Sequence, residues 1–145
     1  QGAVIAGDVA DEIGGGQGAV PAESIAGVAL IADGRRQNGV GQNPGRKVGG
    51  VGAEIALQPV SGLVQPIVPG ASMRGARPNG FGSLADRTFQ ICAPNDSVCD
   101  APPNVSTALE RAQGLIAANG VHAQYASNSG VIDGTTAKRT TPRIL

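Results

Sequence analysis

Apolar residues at Val4, Ile5, Val9 and Ile13 fall at helical spacing along the first segment, QGAVIAGDVADEI, and Gly14-Gly15-Gly16 ends the run. A helix over residues 1–13 is expected. Pro21 to Ser24 reads as a short connector. Ile25-Ala-Gly-Val-Ala-Leu-Ile-Ala32 is apolar throughout, which predicts a strand of the fully buried, parallel-sheet kind, with Asp33 at its carboxyl end. Gly34 to Gly52 is rich in Gly and Asn and basic (Arg35, Arg36, Arg46, Lys47), and predicts a long loop. Residues 53–73 are apolar but broken by Pro59, Pro66 and Pro69, so no long helix survives. Short turns exposing Leu63, Val64, Ile67 and Val68 are expected there. Arg87-Thr-Phe-Gln-Ile91 predicts a second strand leading into Cys92. From Asn104 to Asn119 a helix is expected, with Val105, Leu109, Ala112, Leu115 and Ile116 on one face and Gly120 as its cap. Val121-His-Ala-Gln-Tyr125 comes directly after it. This alternation argues for an α/β layered fold, in which functional side chains gather at the carboxyl ends of strands. Asp96 lies just past such an end, and His122 comes after the next helix.

Composition narrows the picture. The chain has 145 residues, with 23 Gly, 10 Pro, no Trp, one Tyr and two Phe, so its core must be built from Ala, Val, Ile and Leu. That length suits one domain or part of one. Eleven basic residues balance 11 acidic ones, which removes the basic footprint of a nucleic-acid partner or a polybasic membrane anchor. No apolar run approaches the ~20 residues that span a bilayer, and no signal-peptide pattern opens the chain. The only cysteines are Cys92 and Cys99, and His122 is the only histidine. The cysteines suit a local disulfide better than a metal site, which would want more ligands, and no metal is expected. A free, reduced pair is the alternative. If the bridge forms, it points to export.

A single histidine is more often structural than catalytic. Here an aspartate held in a loop beyond a strand, with one intervening helix, places His122 back at the same edge. An Asp bonded to one imidazole nitrogen leaves the other free as a base. The nucleophile is the missing member. In α/β-hydrolases it precedes the acid in a G-x-S-x-G elbow, and none of Ser24, Ser61, Ser72 and Ser83 occupies that motif. Gly41 to Lys47 lacks the Gly-Lys-Ser/Thr spacing of a phosphate loop, and Gly50 to Ile55 lacks the third glycine of a dinucleotide fingerprint.

Gln1-Gly2-Ala3-Val4-Ile5-Ala6-Gly7 resembles the residues just after the serine in the G-Y-S-Q-G elbow of the cutinase family. Ile25-Ala-Gly-Val-Ala-Leu resembles that family's next buried strand, Cys92-Ala-Pro-Asn-Asp-Ser-Val-Cys99 its C-x-x-x-D-x-x-C acid loop, and Val121-His-Ala-Gln-Tyr125 its H-x-x-Y segment. The resemblance covers residues 1–33 and about 74–127, and its flavour is actinobacterial and mycobacterial. It implies an α/β-hydrolase, a three-layer sandwich with a parallel central sheet, of which residues 1–145 are the C-terminal part of one domain. Residues 34–73 then form an insertion. Asp96 is implied as the triad acid, His122 as the base and Gln1 as an oxyanion-hole residue, with Cys92 and Cys99 bridged. The serine would lie outside this chain, in the N-terminal part of the same hydrolase, present as another chain or segment. The implied activity is hydrolysis of carboxylic esters (lipid, phospholipid or thioester acyl groups) at the cell envelope or after secretion, with no cofactor. Leu63, Val64, Ile67 and Val68 would face a lipidic substrate, with peripheral membrane or envelope contact. The rival reading is a non-catalytic envelope scaffold that binds lipid or a partner.

Overall fold

The first apolar repeat folds as helix α1 (Gly2–Gly14), closed by Gly15 and Gly16, whose N–H groups donate to the carbonyls of Asp11 and Ile13. The structure is a computed structural model that describes residues 1–67, 69, 70, 72–108, 110 and 120–127. Two strands, β1 (Val28–Ile31) and β2 (Thr88–Ile91), pair in parallel with Val28 opposite Thr88 and Ile31 opposite Ile91. Helix α1 packs on this pair through Ala10 and Ile13, which join Leu30, Phe81 and Leu84 in one buried cluster. Among the described residues the arrangement is mixed α/β around a small parallel two-stranded sheet.

Strand β1 is shorter and more open than its continuous apolar run predicts. Of its four residues only Leu30 is buried, and Ile31 is 37% exposed. It pairs with β2 along one edge, and no strand among the described residues pairs with the other. Side chains that a second neighbour would shelter therefore meet solvent. The same holds for the outer stripe of α1, where Ile5 and Val9 are exposed.

The segment after β1 lacks regular elements, as its glycines predict, but Arg35 and Arg36 are buried while Arg46 and Lys47 face the solvent. Gln42 N–H donates to Thr88 O, and Gln90 N–H donates to Gln42 O, both at 2.7 Å, which covers the second edge of β2. Arg36 is 1% exposed, and Val51 and Ala101 exchange two backbone hydrogen bonds. Gly52 is required at this crossing, because a Cβ there would sit 2.2 Å from Gly34 O.

The proline-broken stretch forms short elements: α2 (Ala53–Ala56), a 3-10 turn (Gln58–Val60) and α3 (Ser61–Val64). Val64 departs from the expected exposure. It is 4% exposed and packs with Ala56, Leu57, Ala101 and Ala108, because α3 is too short to show more than one face to the core and Val64 is on it. Leu63 and Ile67 are exposed, at 63% and 39%, while Val68 lies outside the described residues. Most of the helix expected over 104–119 also lies outside them. Residues 105–108 and 110 are helical, started by Asn104, whose Oδ1 accepts the N–H groups of Ser106 and Thr107.

Candidate active site

Strand β2 delivers the chain into the cysteine loop. Cys92 and Cys99 are joined by a disulfide with Cα atoms 5.9 Å apart, within the range a bridge requires. The chain doubles back between them at Ala93-Pro94-Asn95-Asp96, where Asp96 N–H donates to Ala93 O at 3.1 Å. Proline presets the second position of this turn, and Asn95 takes φ 64° at the third. That left-handed conformation is the one a type II turn demands there, and asparagine tolerates it better than most residues. The turn aims the Asp96 side chain inward.

Asp96 is fully buried and accepts the Val98 N–H on Oδ1 at 2.9 Å. His122 Nδ1 lies 3.0 Å from Oδ2 and 3.2 Å from Oδ1. An ionised carboxylate only accepts, so the bond assigns the imidazole proton to Nδ1 and leaves Nε2 as the basic nitrogen. The histidine side chain is 39% exposed, so its outer edge can meet a second reactant. The pair therefore has the geometry of a base held by a buried acid. It stands on a disulfide-closed loop on one side and on the 3-10 turn Val121–Gln124 on the other.

A feature not legible in the sequence surrounds this loop. Arg36 Nε donates to Cys99 O at 2.8 Å, Nη2 to Gly50 O at 2.6 Å and Nη1 to Asn43 Oδ1 at 3.2 Å. Burial lowers its pKa, against the opposing pull of Asp100, Asp33 and Tyr125. Asp100 takes the Gly50 N–H at 2.8 Å and the Asn95 N–H at 2.9 Å. Residues 34–52 are thus bonded directly to the acid loop. The sequence shows the basic character of that segment, but not that Arg35 and Arg36 turn inward while Arg46 and Lys47 stay exposed.

A second buried cluster stands at the end of β1. Arg77 donates to Asp33 at 2.6 and 3.0 Å, to Asp8 at 2.9 Å and to Val4 O at 3.1 Å. Burial alone would lower the Arg77 pKa, but the hydrogen bonds and charges of Asp33 and Asp8 outweigh it and raise it. Arg35 donates to Asp8 at 2.8 Å and to the Gly75 and Ala76 carbonyls. The cluster clamps the first turns of α1 to the strand end. Gly34 lies between those turns and the acid loop: a Cβ there would be 3.3 Å from Val4 Cγ2 and 3.8 Å from Val98 Cγ1. Gln1, the N-cap of α1, is exposed and makes no side-chain capping bond.

Among the described residues no group of three or more His, Cys, Asp or Glu side chains is placed to hold a metal ion. No helix there is long and apolar enough to cross a membrane.

No family model matches the chain. It is 65% identical over 136 residues to a protein named Carboxylesterase Culp6 homolog, from Corynebacterium glutamicum. The match takes in 94% of this chain and 44% of that protein, so the chain spans less than half the length of the relative. The resemblance to cutinase-like proteins is thereby borne out.

Proposed function

We propose, from this kinship with a cutinase-like carboxylesterase, that residues 1–145 are the acid- and histidine-bearing C-terminal part of an α/β-hydrolase domain that cleaves carboxylic esters. The nucleophilic serine belongs to a part of that hydrolase outside these residues. The observation that carries the reading is the buried Asp96 carboxylate bonded to Nδ1 of a part-exposed His122.

His122 Nε2 takes the serine proton as the serine oxygen attacks the acyl carbonyl. Asp96 stabilises the imidazolium that results and keeps the ring in the useful tautomer. The imidazolium then gives its proton to the departing alcohol or thiol. Water repeats the cycle on the acyl-enzyme, and the carboxylic acid leaves. The backbone N–H of Gln1, at the positive end of α1, donates to the oxyanion. Leu63 and Ile67 are exposed apolar residues that a lipidic acyl chain would meet, and both are candidates for envelope contact. The exposed Ile5, Val9 and Ile31 support a further segment of the same hydrolase packing beside α1 and β1, which would complete a three-layer sandwich. The disulfide fits an exported protein, at the envelope or secreted.

The test is hydrolysis of p-nitrophenyl esters by the full-length protein and its Asp96→Asn and His122→Ala variants. An amide at position 96 offers the wrong partner to Nδ1–H, so kcat should fall by about 10⁴ with an unchanged melting temperature. His122→Ala should be at least as poor. Activity within tenfold of wild type in either folded variant would sink the reading.

A further inference from the structure

Two side chains on one turn meet the buried carboxylate, and only one of them is the histidine. In a 3-10 turn, positions three apart eclipse, so His122 and Tyr125 stand side by side. Their rings are 6.3 Å apart and nearly perpendicular. Tyr125 Oη donates to Asp96 Oδ2 at 2.6 Å and accepts the Ala93 N–H at 2.9 Å. The phenol has a single proton to give. Cys99 Sγ also lies 3.4 Å from Oη, but a disulfide sulfur carries no proton and is only a weak acceptor. The proton therefore goes to Asp96. Burial pushes the Tyr125 pKa up, the Ala93 N–H opposes that and the Asp96 carboxylate reinforces it, so the group stays a neutral donor.

Asp96 has need of that donor. Among the described residues its only ion-pair partner is His122, and a wholly buried carboxylate without donors is costly. Val98 N–H holds Oδ1 and the tyrosine holds Oδ2. With one oxygen fixed by each, the carboxylate plane cannot rotate, and His122 Nδ1 is received between the two. Take the hydroxyl away and one oxygen loses its fixed donor, while the Ala93 N–H loses its acceptor.

We propose that Tyr125 is a positioning residue for the acid–base pair: anchored on the Ala93 backbone, its hydroxyl fixes the rotation of the Asp96 carboxylate and with it the line along which His122 Nδ1–H is received. The proposal rests on the reading of Asp96 and His122 as acid and base, and Tyr125 acts through Asp96 alone.

The test is a double-mutant cycle in the full-length protein, read as kcat and KM on a short-chain p-nitrophenyl ester, with wild type, Asp96→Asn, Tyr125→Phe and both together. Tyr125→Phe should lower kcat about 10- to 100-fold, the loss expected for a hydrogen bond to a charged group, with KM within about twofold. In the Asp96→Asn background the same substitution should cost less than about threefold, because the group it acts through is already disabled. A merely structural tyrosine would lower the melting temperature and leave the costs additive. Equal cost in both backgrounds, or wild-type kcat in folded Tyr125→Phe, overturns the proposal. If Asp96→Asn is as active as wild type, it is the acid–base reading that fails, and the positioning role falls with it. Should Tyr125→Phe not fold, proton NMR of the unsubstituted protein decides. The phenol proton should appear as a slowly exchanging downfield resonance that is lost in Asp96→Ala, and its absence from wild type overturns the proposal.

Discussion

Replacing Cys92 and Cys99 together by alanine separates what the disulfide does for stability from what it does for the site. Closing a loop of this size removes unfolded-state entropy worth roughly 2.5 kcal/mol. Both sulfurs are buried, at 3% and 0% residue exposure, and they pack with Ile91, Ala93 and Tyr125. Losing those contacts adds about 1 kcal/mol. The sum, about 3.5 kcal/mol, should lower the melting temperature by about 7–14 °C. The loop has other restraints in the folded state. Asp96 N–H is bonded to Ala93 O, Asp100 N–H to Asp96 O at 2.7 Å, Asn95 N–H to Asp100, and Cys99 O to Arg36. Below its melting temperature the double variant should therefore keep Asp96 against His122 and lose less than about tenfold in kcat. Thermal denaturation by circular dichroism and ester hydrolysis at about 15 °C below the variant's melting point read the two effects separately. An unchanged melting temperature would refute the entropy argument. A kcat as low as that of Asp96→Asn would show that the bridge, and not the hydrogen bonds, holds the acid.

Two further substitutions probe the surroundings of the site. Leu63→Ser with Ile67→Ser, both at exposed positions, should weaken hydrolysis of long-chain esters by about tenfold and leave short-chain esters within about twofold; an equal loss on both would assign the pair to packing. Arg77→Met leaves Asp33 buried without its partner and should cost roughly 3–5 kcal/mol by urea denaturation, most of it recovered when Asp33→Leu is added; a loss under about 1 kcal/mol would mean that the clamp does not organise α1.

The sequence makes legible what local chemistry determines. Helix α1 arises from its apolar spacing and its glycine stop, and β1 from a continuous apolar run, while β2 is the mixed segment Thr88-Phe-Gln-Ile91 that leads into Cys92. The inward aspartate arises from Pro94 and Asn95 between two cysteines. The short elements of 53–64 arise from prolines. The rest depends on tertiary partners. Val64 and Leu63 are adjacent and both apolar, and only packing against Ala101 and Ala108 decides which one is buried. Arg36 and Arg77 look like solvated charges until the carbonyls and carboxylates that receive them arrive from far along the chain. The apolar run predicts shelter for Ile31, yet shelter depends on a neighbour that no local pattern supplies. The H-x-x-Y spacing is visible in the chain, but the convergence of both rings on one carboxylate needs the 3-10 geometry of the turn.

The buried arginines answer a problem set by composition. With two Phe, one Tyr and no Trp, few aromatic rings are at hand to fill the spaces where loops cross the strand ends. Arg36 is among the largest fully buried side chains, and Arg77 is 4% exposed and lies 5.4 Å from the Phe81 ring centroid. An arginine brings volume comparable to an aromatic ring, together with several donors in a fixed plane. Those donors are what the crossing loops require, because an irregular buried backbone leaves carbonyls with no ladder to join. Arg36 meets the carbonyls of Cys99 and Gly50, one from the acid loop and one from the segment that precedes α2. A lysine at that position is a point charge and cannot hold both in one plane, and a phenylalanine would leave both unsatisfied. The same side chain that fills the core therefore ties residues 34–52 to the loop carrying Asp96, so the geometry of the acid depends on a segment that contributes no residue to the acid–base pair.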